Sequence, residues 1–375
     1  MFSVDDSYKL RRRAAGALWI LALCATLFAA LRPFCTPKNE VFWAQDRDAL
    51  AFGRAGTVLS SEEFDFAADK ESSCSIEIWF EPALVWGRGT ILSFYKSSTS
   101  KPLSVQQDYT SLIIQLGVPS YDNAGKPPQL EIADVFRRRQ IFLTITSNGR
   151  DAAVYVDGRL VSKRDGFGLT ARSLFGRLII ATSAMRANNW SGSVRGLAVY
   201  NRMLKGSEVA EHYKDWMQSR RPRATKGDSP VALYMFRERE GTVINDMGTS
   251  GIGLYIPVKF VVIKHLFLEA PWNEVYSDRY YLENCLLNVA GFVPFGFFGA
   301  AYVASFRCVR RPALVAIVIG GCISLLIEIG QAYLPTRFSG VTDIITNTVG
   351  TAAGTGLYRS GVLSVKRILA KVSLA

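Results

Sequence analysis

Histidine is nearly absent from this chain: only His212 and His265 occur, far apart in sequence. A histidine-based metal site or a Ser-His-Asp triad is thereby unsupported. Cysteine is sparse too, six in 375 residues, with Cys24, Cys285 and Cys322 inside apolar runs and Cys308 beside arginines. Only Cys35 and Cys74 are left to pair in an oxidising compartment. The spacings fit no metal motif, and no metal or other cofactor is expected. Also missing is any basic run interleaved with aromatics, so the net charge of +12 does not point to nucleic acid.

What the chain has instead is long apolar runs. Residues 14–31 hold only Thr26 as a polar group, and 285–306 hold Asn288 and Ser305. Residues 312–334 hold Ser324, Glu328 and Gln331, and 341–358 form a weaker run rich in Gly and Thr. Each approaches the roughly 20 residues that cross a bilayer core. Four spans are expected, at 14–33, 285–306, 312–334 and 341–358.

Basic residues fix the expected orientation. Lys9, Arg11, Arg12 and Arg13 form a basic head within 1–13, and Arg307, Arg310 and Arg311 sit in the link after the second run. Arg359, Lys366, Arg367 and Lys371 form a basic tail within 359–375. By the positive-inside rule all three segments, and both termini, are cytoplasmic. Arg-Arg-Arg before an apolar core also fits a signal peptide, but no convincing Ala-x-Ala site follows, so an uncleaved anchor is expected. Either way residues 36 to 284 face outside.

Between Val41 and Asp246 the chain changes character. Short runs such as 73–80, 90–95, 111–118, 140–146, 152–161, 177–182 and 193–201 carry the β-branched and aromatic content of strands. Many short strands at near-regular spacing predict an all-β sandwich or jelly roll over 42–250. Asp157-Gly158 fits the two-residue turn of a tight hairpin. Trp79, Trp86 and Trp190 are candidate sugar-stacking platforms, with core or edge packing as the plainer reading. Residues 253–272 mix apolar residues with Lys259, Lys264 and His265, which suits an interfacial segment, or else a last buried strand plus loop.

The runs IEIWF, QIFLTITSNGRDAAVYVDGRLV and GSVRGLAVYNRMLKGSEVAEHY resemble, in that order, the laminin-G-like, concanavalin A-like jelly roll. The resemblance covers roughly 42–220 and implies an extracytoplasmic domain of a kind that binds glycans or proteins.

Polar residues of the last 90 positions converge on one predicted level. Asn288 lies near the start of an inward span, while Glu328 and Gln331 lie near the end of an outward one, Glu328 about 9 Å deep at a rise of about 1.5 Å per residue. The link from Pro335 to Gly340, with Arg337, is short enough to force a helical hairpin, which brings Asp343 and Asn347 to the same level. Ser324, Glu328 and Gln331 share one helix stripe, and Asp343, Asn347, Gly350 and Gly354 share another. Gly350 and Gly354 form a small-xxx-small packing surface, and Pro294 and Gly296 predict a kinked or broken second span.

LLNVAGFVPFGFFG and IEIGQAYLPTRFSGVTDIITNTVGTAAG resemble the VanZ-like family of bacterial integral membrane proteins, named after an accessory factor for glycopeptide (teicoplanin) resistance. The resemblance covers about 278–358. It implies a multi-pass protein of the bacterial inner membrane; the large outer domain between the first and second spans departs from the family pattern. Ionisable groups inside a membrane by default mark a functional site. Asn288, Glu328, Gln331, Arg337, Asp343 and Asn347 are therefore candidate ligand-binding residues, for a glycan or a lipid-linked wall precursor. The plainer reading has Glu328 and Asp343 paired with Arg337 to fix helix packing. A non-enzymatic envelope protein is expected; the alternative is a membrane enzyme acting on a lipid-linked or wall glycan, with Glu328 and Asp343 as catalytic candidates.

Overall fold

A computed structural model describes residues 4–32, 34, 36–44, 48–65, 73–96, 103–117, 127–137, 140–184, 188–219, 229–263, 267–268, 270–271, 279–334, 337 and 339–372. The chain divides into two compact units, Thr36–Lys264 and Met1–Cys35 with His265–Ala375.

The first unit is a two-sheet β sandwich. One sheet has the order β1 (Val41–Trp43), β2 (Leu50–Phe52), β13 (Gly192–Tyr200), β4 (Cys74–Pro82), β9 (Ile141–Ser147), β10 (Ala152–Val156), β11 (Arg159–Arg164), with β14 (Ala232–Tyr234) also paired to β13. The other has the order β15 (Val243–Ile244), β16 (Leu254–Tyr255), β3 (Val58–Ser60), β12 (Arg177–Ile180), β5 (Arg88–Tyr95), β6 (Leu103–Asp108), β7 (Ser111–Leu116), β8 (Gln129–Ile132). All the pairings between these strands are antiparallel. Alternate residues of both sheets, Phe80 and Ile78 from one and Phe94 and Leu178 from the other, meet in one continuous core. Asp157 and Gly158, at φ 52° and 73°, turn β10 into β11, and the Asp157 carboxylate accepts the Phe142 N–H at 3.1 Å.

Strand β4 is buried on both faces because the helix α2 (Gly206–Ser219) covers its outer side. Val209 and Trp216 of α2 pack there with Trp79, Phe142 and Tyr200. The sole acid within that strand's buried run, Glu77, is fully enclosed. Its carboxylate accepts from the Tyr200 hydroxyl at 3.1 Å and Trp216 Nε1 at 3.2 Å, and pairs with His212 Nδ1 at 3.0 Å. Burial lowers the His212 pKa, but the hydrogen bond and charge of Glu77 outweigh it, and the net shift is upward.

The described part of 253–272 begins as a strand of the sandwich. Leu254–Tyr255 pairs with β3, Phe260 donates its N–H to the Pro37 carbonyl at 3.0 Å, and Phe260 and Val262 are buried. Leu254, Phe260 and Val262 are buried in protein, whereas Val258 is exposed; His265 lies outside the described residues. Cys74 is a free, buried thiol, and burial pushes its pKa up to about 12. Cys35, its expected partner, lies outside the described residues.

The second unit is helical: α1 (Val4–Leu31), α3 (Arg279–Ala304), α4 (Pro312–Ala332) and α5 (Val341–Val372). Among the described residues three helices are long and apolar enough to cross a membrane, at Tyr8–Leu31, Tyr281–Ala304 and Pro312–Ala332. Their exposed residues include the apolar Leu21, Leu287 and Leu326. The fourth expected span is helical but does not end at 358, running on to Val372, and it is not among those three. Its threonines lower its apolarity, yet Thr346, Thr348 and Thr351 each return the hydroxyl to the carbonyl four residues back. The helix α3 is also continuous through Pro294 rather than broken.

Glycines set the helix spacing. A Cβ on Gly296 would lie 2.1 Å from the Thr351 carbonyl oxygen, one on Gly350 2.2 Å from that of Val289, and one on Gly354 2.1 Å from that of Val293. Backbone therefore touches backbone between α3 and α5. Across the other side, Trp19 of α1 packs on Phe295 and Tyr302, and Arg12 stacks 4.1 Å over the Phe306 ring. The start of α1 thus lies beside the end of α3.

Candidate functional site

The helices of the second unit enclose a cavity of about 780 Å³. Asn288, Glu328, Gln331, Arg337, Asp343 and Asn347 all line it. Six side chains from three helices and one link, spread over 60 residues of sequence, reach one space.

Local geometry explains how each arrives. The stripe along α4 puts Glu328 and Gln331 on its protein-facing side, where they are 1% and 7% exposed. The Glu328 carboxylate accepts the Gly340 N–H at 2.8 Å, tying the α4–α5 link to α4. Gln331 donates its Nε2 to the Ala30 carbonyl at 2.9 Å, which fixes its amide orientation. Asn347 of α5 donates Nδ2 to the Ser324 hydroxyl at 2.9 Å. Asn288 of α3 donates Nδ2 to the Asp343 carboxylate at 2.7 Å.

Arg337 does a different job from the one expected. Its Nε donates to the Arg32 carbonyl at 3.0 Å and its Nη2 to the Ala29 carbonyl at 3.3 Å. These are orphan carbonyls at the C-terminal end of α1, where a cation also meets the negative end of the helix dipole. Among the described residues no salt bridge joins Arg337 to Glu328 or Asp343. The expected carboxylate–guanidinium packing is replaced by a helix cap.

Two acceptors remain. Gln331 Oε1 and the Asn347 Oδ1, the latter residue 4% exposed, are buried and have no hydrogen-bond partner among the described residues. Small residues of α1, Ala22, Ala25 and Ala29, also line the cavity, as do Phe292 and Ile327.

The tryptophans separate cleanly. Trp190 is 1% exposed and donates its Nε1 to Gln107 Oε1 at 2.9 Å; Trp79 is 6% exposed and packs edge-on against Trp216. Both are core. Trp86 is 74% exposed, edge-on to Tyr109 with ring centroids 6.4 Å apart. The Asn189 amide, in an Asn189-Trp190-Ser191 run that matches a glycosylation acceptor, is committed internally, donating to the Arg54 carbonyl and accepting from the Thr182 hydroxyl.

Sequence reasoning missed Gln107. Buried in β6, its amide donates to the Leu84, Val85 and Tyr109 carbonyls and so shapes the turn that carries Trp86. An isolated glutamine in an alternating strand gives little sign of that role.

Comparison with known families fits these two halves. The VanZ/LLP1 family pattern matches residues 231–364, and the concanavalin A-like lectin/glucanases superfamily pattern matches 53–210. The chain joins a VanZ-like segment to a laminin-G-like, concanavalin A-like domain. The VanZ/LLP1 match begins at Val231, well before the helices and inside the β unit. No curated protein matches the chain.

Distant likenesses exist among solved structures. The IT-sialidase CBM40 of Ruminococcus gnavus, bound to alpha2,3 sialyllactose, is 14% identical over 37% of this chain and 82% of its own, with a TM-score of 0.32. Botulinum neurotoxin type C is 12% identical over 48% of this chain and 45% of its own, at 0.34. The binding domain of Paraclostridial Mosquitocidal Protein 1 is 14% identical over 48% and 47%, at 0.36. The chain spans less than half of the latter two.

Proposed function

We propose that this chain is a bacterial cell-envelope membrane protein whose VanZ-like unit holds the head of an envelope amphiphile in the polar cavity. The observation that carries this reading is the convergence of Asn288, Glu328, Gln331, Arg337, Asp343 and Asn347 on one space. Polar and ionisable groups at that density are costly in hydrocarbon and are retained where they line a functional path or pocket.

Four helices cross the membrane in this account, α5 included, since its Ile345 and Val349 are exposed and its threonine hydroxyls are satisfied within the helix. The basic head of α1 lies beside the end of α3, which supports one cytoplasmic face for the basic segments. The cavity then opens toward the outer face. The β unit is the extracytoplasmic binding domain, with the Trp86–Tyr109 pair as its glycan-contact surface. Glycopeptide response and envelope polysaccharide handling are the processes this arrangement serves.

The test is complementation. In a strain lacking the gene, the wild-type chain restores growth under envelope stress, glycopeptide challenge included, while Glu328→Gln at equal abundance does not. Full complementation by Glu328→Gln overturns the reading. For the β unit, full-length protein on a glycan array gives sugar-dependent signal that Trp86→Ala removes.

A further inference from the structure

We propose that the basic head of α1 and the α3–α4 link together hold one anionic phospholipid, of the kind that carries two phosphates in a single head. This goes beyond the reading above and makes no use of the cavity. What carries it is a juxtaposition that chain order conceals. Arg11, Arg12 and Arg13 stand near the start of α1, and Arg307, Arg310 and Arg311 stand between α3 and α4. Tyr8 and Ser305 are 297 positions apart, yet the Tyr8 hydroxyl donates to the Ser305 carbonyl. Arg12 lies 4.1 Å over the Phe306 ring, the residue before Arg307. Phe306 is itself braced edge-on by Tyr302, with ring centroids 5.2 Å apart. The Val309 N–H donates to the Phe306 carbonyl at 3.1 Å and closes the link into a turn. The two arginine triplets are therefore held side by side.

Their charge calls for a counter-ion. All six arginines are exposed, and among the described residues none of the six is in a salt bridge. With Lys9 the two segments hold seven cations against Asp5 and Asp6, a formal charge of +5. Like charges fixed together repel, and an anion between them relieves the repulsion. Six of the seven are guanidinium groups, whose planar fork matches two phosphate oxygens at once and which shed water more readily than an ammonium.

Position selects a lipid over a free anion. Arg13 directly precedes the apolar run that opens at Ala14, and Arg311 directly precedes Pro312, the first residue of α4. Both triplets thus sit where spans leave the hydrocarbon, in the headgroup layer that holds lipid phosphates. Exposed Leu10 and Leu18 of α1, with Leu314 and Val315 of α4, give acyl chains an apolar surface on the same helices. One phosphate answers one triplet. Two phosphates tethered in one head answer both, because the first contact raises the effective concentration of the second.

Full-length protein in neutral detergent micelles is titrated with cardiolipin, phosphatidylglycerol and phosphatidylcholine, and bound lipid is counted by native mass spectrometry. Cardiolipin binds about tenfold more tightly than phosphatidylglycerol, the scale of one charge-assisted hydrogen bond, and phosphatidylcholine binds more weakly still. Added salt weakens cardiolipin binding and leaves phosphatidylcholine unchanged. Arg310→Gln combined with Arg311→Gln lowers the cardiolipin affinity about tenfold and leaves that for phosphatidylcholine unchanged. The wild-type order is read without any variant, so a misfolded double variant leaves the test intact. Phosphatidylglycerol binding as tightly as cardiolipin, phosphatidylcholine binding as tightly as either, or retention of no lipid overturns the proposal. Displacement of cardiolipin by an equal concentration of inorganic pyrophosphate overturns the lipid as occupant, and resistance to it supports the lipid. None of these outcomes bears on the cavity, which complementation by Glu328→Gln tests separately.

Discussion

Asn288 and Asp343, 55 residues apart, are joined by a 2.7 Å hydrogen bond from amide to carboxylate that links α3 to the first turn of α5. It is a bond between the two helices whose glycines already press backbone on backbone. A double-mutant cycle with Asn288→Leu and Asp343→Leu is expected to give a coupling of about 0.5–2 kcal/mol, the range for polar contacts between membrane helices. Thermal unfolding of the purified chain in micelles measures it.

Gly354 has no room for a side chain, whereas Gly356 on the same helix has open space around it. Gly354→Ala drives a methyl into the Val293 carbonyl and should cost about 1–3 kcal/mol as overpacking. Gly356→Ala should be neutral or slightly stabilising. Paired melting curves of the two variants check this; equal effects would show that α3 and α5 do not approach so closely.

Glu77 is the hub of the buried network in the β unit. Glu77→Ala leaves Tyr200, Trp216 and His212 without their shared partner and should destabilise that unit by about 3–5 kcal/mol. Tryptophan fluorescence of the full chain reports it, because Trp216 is one of the released groups.

His212 adds a pH signature. Its pKa in the folded chain is raised. The stabilisation by its charged form is therefore complete below the ordinary histidine value of about 6.5 and is lost as pH rises through the higher folded value. His212→Asn should cost more stability at pH 6 than at pH 9. A difference in melting temperature that does not change between those pH values would contradict the assignment.

Much of the candidate site was legible in the sequence because helix periodicity is a short-range property. Ser324, Glu328 and Gln331 had to share a stripe, and a link as short as 335–340 had to return the chain beside itself. The partners of Arg337 were not legible. They lie 305 and 308 positions away at the end of α1, and no local pattern pairs a loop arginine with distant backbone carbonyls. In the β unit the hairpin at Asp157-Gly158 declared itself through turn chemistry, while β6 was obscured by its glutamines. Core packing of Trp79 was among the readings the sequence offered, but the burial of Glu77 was hidden. Residues Val209, Tyr213 and Trp216 form an apolar stripe on α2, and that stripe buries the face of β4 that alternation would assign to solvent.

The central claim is that the six polar side chains surround one water-accessible space opening outward, and labelling at Gly291 tests it most directly. Gly291 lines the cavity, and a Cβ there meets nothing within 4 Å. In a chain whose native cysteines are replaced by alanine, Gly291→Cys should react with a charged, membrane-impermeant maleimide applied to intact cells. A thiol that reacts only after denaturation, or only from the cytoplasmic side, would contradict the account.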